Sequence, residues 1–345
     1  MRILIVGSNK PWAIERFYIK YLTELDADIH LYPAPDIIFD NHSKNIFNKI
    51  LFKTKIRTGY GKVNKELIRE ADNVHPDLIW VFKGMEIYPA TLKLLGKKFR
   101  LVNYNPDHPY VIVSSGGGNK NVRDSVGLYH LHFCYNQNLL KQIEQEFKIP
   151  VVSLPFGYDL SEEDYKAISH ESELNRVCFL GNPDKTREEV VKFVADNGYP
   201  VDVYGHGWNK TALRSHKNVT VHDAVYGFAF WKKMRAYRVQ LNIFRQHNIG
   251  SHNMRTFEIP GAGAIQLAPY SEEHAFFFNE NREIFLYRDQ PELLKNVKFL
   301  INGSPETVDE IRKAARSRSL DSKYSYKDRA WIVFRTFQDM LVNDK

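Results

Sequence analysis

Residues 247–267 read HNIGSHNMRTFEIPGAGAIQL and connect two apolar segments that have the composition of buried strands. Arg255 and Glu258 are three residues apart, so their side chains project from one face of a helix. Pro260 and the glycines after it are poor helix formers, which predicts that this helix ends at Ile259. A charged pair beside glycines at the end of a buried strand is typical of a ligand site in a parallel sheet. The spacing alone also fits a surface ion pair that caps an ordinary turn.

Outward from this stretch, apolar strands alternate with helices in both halves of the chain. In the first half, strands are predicted at 2–7, 29–32, 78–82, 101–104, 128–135 and 151–156, and helices at 12–25 (with Pro11 in its first turn), 60–71 and 138–147. In the second half, strands are predicted at 177–180, 201–204, 219–221, 239–244, 264–267 and 283–287, and helices at 186–197, 228–237, 291–300 and 306–317. Continuous apolar strands that alternate with helices predict parallel sheets covered on both faces.

We therefore expect an α/β fold with two doubly wound, Rossmann-like parallel-sheet domains that face a cleft. The first domain is predicted to span residues 1–156 and the second residues 176–325. Between them, GYDLSEEDYKAISHESELN (157–175) is polar and is predicted to be the linker. Residues 326–345 have a helical pattern and are expected to cross back to the first domain.

The run NMRTFEIPGAGAIQL (253–267) resembles the R-x-F-E-I-P-A-x-G pattern of the CgeB-like (spore-coat maturation type) glycosyltransferases, which have the GT-B fold. The likeness extends to FLGNPDKTREE (179–189), VDVYGHGW (201–208) and YSYKDRA (324–330), so it covers roughly the last half of the chain. The first half matches only in its outline of strands. The resemblance implies that the first domain is on the acceptor side and that the second binds a nucleotide-sugar. It also implies that Glu258 binds the ribose hydroxyls and that Arg255 lies near the phosphates or the sugar.

Further candidates for donor binding follow the strands of the second domain. Gly181 ends a strand and Asn182 to Arg187 opens a helix, so free amides, the helix dipole and a guanidinium are expected to face a pyrophosphate. The other donor-binding candidates are Tyr204, Gly205, Gly207, Tyr226, Arg245, His247 and Asn248. Each of them alone also fits a structural role, whereas the set together favours a site. Gly7 is followed by SNKPW, so the first strand lacks a dinucleotide-binding fingerprint.

Catalytic candidates are Asp107 and His108, in the segment NYNPDHPY after the fourth strand. In an inverting transfer, a carboxylate or an imidazole has to remove the proton of the acceptor. CgeB-like sequences often have an Asp-Pro-containing turn here, although Asp107 also fits a simple turn residue. Many retaining relatives carry a second Glu eight positions before the ribose-binding one, where this chain has Gly250, so the stereochemistry stays open. The one Asp-x-Asp triplet, at 26–28, lies at the opposite end of the sheet, and we expect no metal and no cofactor besides a UDP- or GDP-sugar substrate.

The net charge of +7 is concentrated in residues 41–65, which hold seven cations and no acid. An amphipathic basic helix here fits a peripheral contact with an anionic membrane, or equally a core-facing helix with solvated lysines. No nucleic-acid-binding motif accompanies the charge, so nucleic acid is not an expected partner. Cys134 and Cys178 lie in different halves, and no segment has the length of a signal peptide or a membrane span. We therefore expect a cytoplasmic protein, with a peripheral position on the inner face of the membrane as an option.

Taken together, these features predict a metal-independent GT-B glycosyltransferase. Its partners are expected to be a nucleotide-diphosphate sugar and a glycan, lipid-linked or protein acceptor. Two other functions stay open on the sequence alone. One is a nucleotide-sugar epimerase or hydrolase with the same fold, and the other is a non-catalytic protein that binds an anionic surface through residues 41–65.

Overall fold

The computed structural model of this chain describes residues 1–43, 59–110, 118–244 and 250–342. The chain forms two compact units: unit 1 consists of Met1–Pro155 together with Tyr326–Lys345, and unit 2 of Phe156–Ser325. Each unit contains a six-stranded parallel sheet with helices packed on it, which confirms the predicted α/β class with two doubly wound domains. Most of the basic segment 41–65 lies outside the described residues.

Unit 1 has six strands and seven helices in its described part. The strands are β1 (Arg2–Val6), β2 (Asp28–Tyr32), β3 (Leu78–Phe82), β4 (Arg100–Asn105), β5 (Leu131–Cys134) and β6 (Val151–Ser153). The helices are α1 (Ile14–Glu24), α2 (Ala34–Ser43), α3 (Tyr60–Val74), α4 (Pro89–Leu95), α5 (Lys120–Ser125), α6 (Gln137–Phe147) and, at the end of the chain, α14 (Tyr326–Val342). The strand order is β2-β1-β3-β4-β5-β6.

The core of unit 1 is rich in aromatic side chains because β3 (LIWVF) is buried on both faces. Trp80 of this strand is fully buried, and its ring centroid lies 5.1 Å from that of Tyr18 on α1 and 5.4 Å from that of Phe337 on α14. Phe17 of α1 also stacks on Tyr326 of α14 at 4.6 Å. These contacts fix α14 to unit 1, although the chain passes through all of unit 2 before reaching it.

Unit 2 has six strands and seven helices in its described part. The strands are β7 (Leu174–Leu180), β8 (Val201–Tyr204), β9 (Val219–His222), β10 (Tyr237–Leu241), β11 (Gln266–Pro269) and β12 (Phe285–Tyr287). The helices are α7 (Glu162–Ser169), α8 (Lys185–Asp196), α9 (Gly227–Ala236), α10 (Met254–Gly261), α11 (Glu272–Phe277), α12 (Gln290–Asn302) and α13 (Pro305–Asp321). The strand order is β12-β11-β10-β7-β8-β9, and all pairs are parallel.

Three local predictions differ from the structure. Helix α10 does not end at Ile259 but continues through Pro260 to Gly261, because the proline removes only one donor and Ala262 still donates to the Glu258 carbonyl oxygen at 3.0 Å. Pro11 lies before α1 and not in its first turn. The predicted linker 157–175 contains α7 and belongs to unit 2, where Ser161 caps the helix by accepting an amide hydrogen.

Candidate functional site

The sheet of unit 2 reverses its winding between two neighbouring strands. β7 and β10 are the first and fourth strands of this sheet along the chain, and they lie side by side. At such a switch point, ligands bind in the crevice outside the carboxyl ends of the strands. β7 ends at Leu180 and β10 at Leu241, so the segments after these residues form the candidate site.

Helix α10 is attached to the end of β10 by its first residues. The Asn253 side chain accepts from the Thr256 amide at 3.1 Å, and the Thr256 hydroxyl accepts from the Asn253 amide at 3.1 Å. This reciprocal capping satisfies amides that the first turn of a helix leaves free. Nδ2 of the Asn253 side chain also donates to Oδ1 of Asn242, just after β10, at 2.8 Å. The direction in which α10 projects its side chains is therefore fixed relative to the sheet.

Arg255 and Glu258 contact each other on one face of α10, as their spacing predicted. Nη1 of Arg255 donates to Oε2 of Glu258, and Nε donates to the carbonyl oxygen of Leu180 at 3.2 Å. The guanidinium also lies over the ring of Phe230, 4.5 Å from its centroid. Glu258 is 6% exposed, and its other carboxylate oxygen has no hydrogen-bond partner within the described ranges. A buried carboxylate with one open oxygen, beside a guanidinium, is suited to hydroxyl groups and a neighbouring anion.

Arg187 lies on α8, the helix after β7, and its side chain contacts the segment after β10. Its guanidinium donates to the Ile243 carbonyl oxygen at 3.4 and 3.3 Å and to the Asn182 carbonyl oxygen at 2.9 Å. Helix α8 begins at Lys185 rather than at Asn182, and Asp184 caps it by accepting the Arg187 amide hydrogen at 3.1 Å. One amide of this helix end is therefore occupied by a carboxylate of the protein, which also interacts with the positive end of the dipole.

Glycines allow two loops of this edge to pack against each other. A Cβ atom at Gly205 would lie only 2.4 Å from the carbonyl oxygen of Gly181, so no side chain fits there. Trp208 Nε1 donates to the same oxygen at 2.7 Å. Gly207 has a φ of +105° before a short 3-10 turn, Trp208–Lys210. These glycines therefore allow the two loops to pack closely, and their predicted contact with a ligand stays a prediction.

The two predicted tyrosines have different surroundings. The Tyr204 hydroxyl shares a hydrogen bond with Tyr237 at 2.7 Å, and its side chain is buried within the sheet layer. Tyr226 is 53% exposed, and its hydroxyl lies 3.0 Å from Nε2 of His206. The His206 amide in turn donates to Oδ1 of Asn182 at 2.9 Å. The structure thus brings Tyr226 to the surface near the loop after β7 and leaves Tyr204 inside.

The switch point brings together only part of the predicted donor-binding set. The residues that line it or its adjoining loops are Gly181, Asn182, Arg187, Gly205, Gly207, Tyr226, Arg255 and Glu258. Arg245, His247 and Asn248 lie outside the described residues.

In unit 1, both catalytic candidates follow β4. Oδ2 of Asp107 lies 2.5 Å from Nζ of Lys83, which follows the neighbouring strand β3. His108 accepts the Tyr110 amide hydrogen on Nδ1 at 3.3 Å, and burial lowers the pKa of its imidazole, which favours the neutral ring. Lys83 was missed in the sequence, because a lysine after a buried strand carries no spacing signal.

The loop after β1 is filled by carboxylates of the protein itself. Oε1 of Glu15 accepts the Ser8 amide hydrogen at 2.8 Å, and Oδ2 of Asp36 accepts that of Asn9 at 2.6 Å. A Cβ atom at Gly7 would lie 2.7 Å from Cγ of Glu15, so glycine is required for this approach. The amides that bind phosphate in dinucleotide-binding domains are occupied here, in agreement with the missing fingerprint.

The described part of the chain also bears on metals, membranes and disulfides. No group of three or more His, Cys, Asp and Glu side chains there is arranged to hold a metal ion. None of its helices combines the length and the apolar composition that crossing a bilayer requires. Cys134 and Cys178 are both buried and free.

Comparison with known proteins gives one family match by sequence and several matches by structure. Residues 186–333 match the family model described as glycosyl transferase-like. No curated protein matches the chain by sequence. HepE of Anabaena, in a crystal structure with UDP-glucose, is 14% identical, with 98% of this chain and 100% of that chain covered and a TM-score of 0.65.

Two other solved structures cover almost the whole chain. Sucrose-phosphate synthase from Thermosynechococcus elongatus is 11% identical, with coverage of 99% of this chain and 100% of that chain and a TM-score of 0.68. The UDP-GlcNAc 2-epimerase from Neisseria meningitidis, bound to UDP-GlcNAc, is 12% identical, with coverage of 98% and 100% and a TM-score of 0.60. At these identities the structures show the fold, and the expected GT-B fold is confirmed. The glycosyl transferase-like match over residues 186–333 and the fold of the whole chain together support a GT-B glycosyltransferase, and hence an enzyme.

Proposed function

We propose that this protein transfers a sugar from a nucleotide-diphosphate sugar to a glycan, a lipid-linked or a protein acceptor. The observation that carries the proposal is the position of Arg255 and Glu258. Both lie at the switch point of unit 2, inside the segment that matches the glycosyl transferase-like model. UDP-glucose and UDP-GlcNAc in the structures of HepE and the epimerase support a uridine nucleotide, with a GDP-sugar as the other option.

The residues of unit 2 have distinct roles in this proposal. Glu258 accepts hydrogen bonds from the ribose hydroxyls through its open oxygen, and Arg255 and Arg187 place positive charge at the diphosphate. Tyr226 offers an exposed ring near the loop after β7. The remaining proposed donor-binding residues are Gly181, Asn182, Gly205 and Gly207 in the packed loops, together with Arg245, His247 and Asn248. Tyr204 is not retained as a direct contact, because its hydroxyl is bonded to Tyr237 inside the unit.

Several finer features belong to the same proposal. The R-x-F-E-I-P pattern supports a CgeB-like subtype. Two cationic side chains near the diphosphate support transfer without a metal, because arginines can neutralise the leaving group. The low cysteine content supports a cytoplasmic location, and the basic composition of residues 41–65 supports contact with an anionic membrane. On the acceptor side, Asp107 and His108 lie at the carboxyl edge of the unit 1 sheet.

Replacement of Glu258 tests the proposed donor site. Hydrogen bonds to a charged group contribute about 1.5–3 kcal/mol, so Glu258→Ala is expected to weaken UDP binding by roughly 10- to 100-fold in calorimetry. Glu163→Ala, an exposed acid on α7, is the matched control and is expected to bind as the wild type does. Equal UDP affinity of wild type and a folded Glu258→Ala variant would contradict the proposal.

A nucleotide-sugar epimerase is the second candidate, because a UDP-GlcNAc 2-epimerase shares the fold over nearly the whole chain. The two functions differ in what they require. An epimerase converts its nucleotide-sugar with no acceptor present and leaves the diphosphate-sugar bond in its product, whereas a transferase releases free UDP. NMR spectra of UDP-GlcNAc and UDP-glucose incubated with the protein distinguish a new epimer from released UDP.

A further inference from the structure

Three arginines gather at one edge of the unit 2 sheet and form what we call the arginine cluster: Arg235, Arg238 and Arg312. Arg235 lies in the last turn of α9, Arg238 near the start of β10, and Arg312 on α13. Tyr237, the first residue of β10, pairs with Leu174, the first residue of β7, so the cluster is at the edge where these strands begin. The candidate donor site follows the ends of the same two strands. The cluster and the donor site are therefore at opposite edges of one sheet.

Two members of the arginine cluster share a single carboxylate, that of Glu173. Nε of Arg238 donates to Oε1 of Glu173 at 2.6 Å, and Nη1 of Arg312 lies 2.8 Å from Oε2. Both side chains also donate to backbone carbonyl oxygens, Arg238 to that of Gly303 at 2.9 Å and Arg312 to that of Tyr237 at 3.2 Å. Each of these two arginines is 7% exposed, so their charges need such partners. Both oxygens of the shared carboxylate are thereby engaged.

Arg235 is the member of the cluster that has no such partner. Its side chain forms no hydrogen bond and no ion pair with any residue in the described ranges, and its Nε is buried. The residue as a whole is partly exposed, so a dissolved ion can reach the guanidinium. A cation in the last turn of a helix interacts favourably with the helix dipole, but that interaction uses none of its N–H donors. Arg235 therefore has donors to offer to a ligand.

The charges of the cluster do not balance among the described residues. Three guanidiniums face the one carboxylate of Glu173, which leaves an excess of two positive charges. The other acids nearby have cations of their own: Asp309 pairs with Lys313 at 2.6 Å, and Glu171 with Lys232 at 2.8 Å. Burial and the adjacent Arg235 lower the pKa of Arg312 to about 10, which is the direction expected where a counter-charge is missing. An anion beside Arg235 would supply that charge.

The chemistry of Arg235 favours a tetrahedral oxyanion as the ligand. A guanidinium presents its N–H groups in a planar fork, which fits two oxygens of a phosphate group. A phosphate monoester carries about −1.5 to −2 charges at pH 7, which is close to the excess of the cluster. A singly charged carboxylate would balance only part of it.

We propose that the arginine cluster binds a phosphate group, with Arg235 as the main contact. The group belongs to inorganic phosphate or to a small phosphate monoester, since both present the same oxyanion to the guanidinium. Binding involves no covalent step. The site does not depend on the proposed sugar transfer, because it lies at the other edge of the sheet from Arg255 and Glu258.

The test is calorimetric titration of the protein with sodium phosphate at constant ionic strength. Arg235→Gln is expected to bind phosphate at least about 10-fold more weakly than the wild type, because it loses charged hydrogen bonds. Arg214→Gln removes the same charge from an exposed position of unit 2 and is expected to bind as the wild type does. Arg187→Gln removes a cation of the donor site and is expected to keep the binding that Arg235→Gln loses.

Three outcomes would overturn the inference. They are absence of phosphate binding in the wild type, equal affinity of the wild type and Arg235→Gln, and loss of binding in Arg187→Gln instead, which would locate the phosphate at the donor site. Arg235→Gln breaks no hydrogen bond within the described residues, so it is expected to fold, as circular dichroism can verify. If it does not fold, Arg235→Lys serves in its place, since it keeps the charge and loses the fork. Its affinity is expected to be lower than that of the wild type, and an unchanged affinity would contradict the proposal.

A second titration, with glycerol 3-phosphate, identifies the source of the phosphate group. Tighter binding of this monoester than of inorganic phosphate would show that the ligand is an ester, whose organic part adds contacts. Equal or weaker binding would show that the free ion is the ligand. In both cases the affinity is expected to depend on Arg235, and an affinity for both probes that is the same in Arg235→Gln would exclude the cluster as the site.

Discussion

Arg255 and Glu258 neutralise each other's charge, and this limits how much each of them can add to the affinity for a ligand. A ligand that contacts both groups has to exchange one ion pair for two new contacts, so only the difference contributes to affinity. The bond from Arg255 to the Leu180 carbonyl oxygen and its packing on Phe230 hold the guanidinium in place during this exchange. Binding is therefore expected to depend on Glu258 more than on the helix dipole of α8, which Asp184 already satisfies.

The close packing at Gly205 leads to a prediction about stability. Because a Cβ atom there would lie 2.4 Å from the Gly181 carbonyl oxygen, Gly205→Ala has to push two backbone loops apart. We expect a loss of about 1–3 kcal/mol of stability, seen as a lower melting temperature. Gly61→Ala is the matched control, since Gly61 lies in α3 with nothing within 4 Å of the added atom. There the same substitution is expected to stabilise by about 0.5–1 kcal/mol. Equal melting temperatures for the two variants would contradict this account.

Single residues were predictable from the sequence only where local spacing carries the information. Arg255 and Glu258 are three positions apart, so the face they share follows from helix geometry alone. Lys83 and Asp107 are far apart in the sequence and meet because β3 and β4 pair in parallel, which spacing cannot reveal. Tyr204 ends the expected strand, but its hydroxyl bonds to Tyr237 of β10 within the unit, a contact that depends on the tertiary fold.

Short helix α10 shows how one element depends on its ends. It has eight residues, too few to be stable by propensity, so capping and burial have to hold it. In the structure it starts after Asn253, a strong N-cap residue that the sequence prediction did not use. Its end was predicted at Ile259, yet Pro260 only removes one donor and the last turn closes on Ala262. Helix α7 was missed because it is a polar surface helix. It has a single buried residue, Ile168, and therefore shows little hydrophobic pattern.

Replacement of the N-cap tests whether α10 orients the site. Asn253→Ala removes the cap and the bond to Asn242 and is expected to cost about 1–2 kcal/mol of stability. We also expect UDP affinity to fall by roughly 10-fold, because Arg255 and Glu258 lose their fixed direction. Ser304→Ala removes the cap of α13, where the serine accepts from Thr307 at 3.3 Å, and serves as control. It is expected to lower stability without changing UDP affinity, and a parallel loss of affinity in both variants would argue against a local effect.

For the whole molecule, buried histidines in both units make stability depend on pH. Burial lowers the pKa of His132 in unit 1 and of His274 in unit 2 to about 4. In the unfolded chain a histidine has a pKa of about 6.5. Between this pH and about 4, the unfolded state therefore binds protons that the folded state does not bind. Stability is therefore lost as the pH falls through this range and is unaffected by these groups above it.

The size of this effect can be measured by thermal unfolding. Each histidine is expected to contribute a loss on the order of 3 kcal/mol at pH 4. His132→Gln and His274→Gln are expected to reduce the difference in melting temperature between pH 7.5 and pH 5, whereas His170→Gln, at an exposed position, is expected to leave it unchanged. Identical pH dependence in all three variants would show that other groups control the acid sensitivity.

The return of α14 to unit 1 has a consequence for how the protein is made. The chain leaves and re-enters unit 1 at residues 155 and 326, and a bridge between Tyr158 and Ser325 places the two crossing segments side by side. During translation, Trp80 emerges before unit 2, whereas its packing partner Phe337 emerges after it. Unit 2 is complete by then and can fold as it emerges, as domains generally do. Most of unit 1 is therefore synthesised before unit 2, but its aromatic core can close only after unit 2 has emerged.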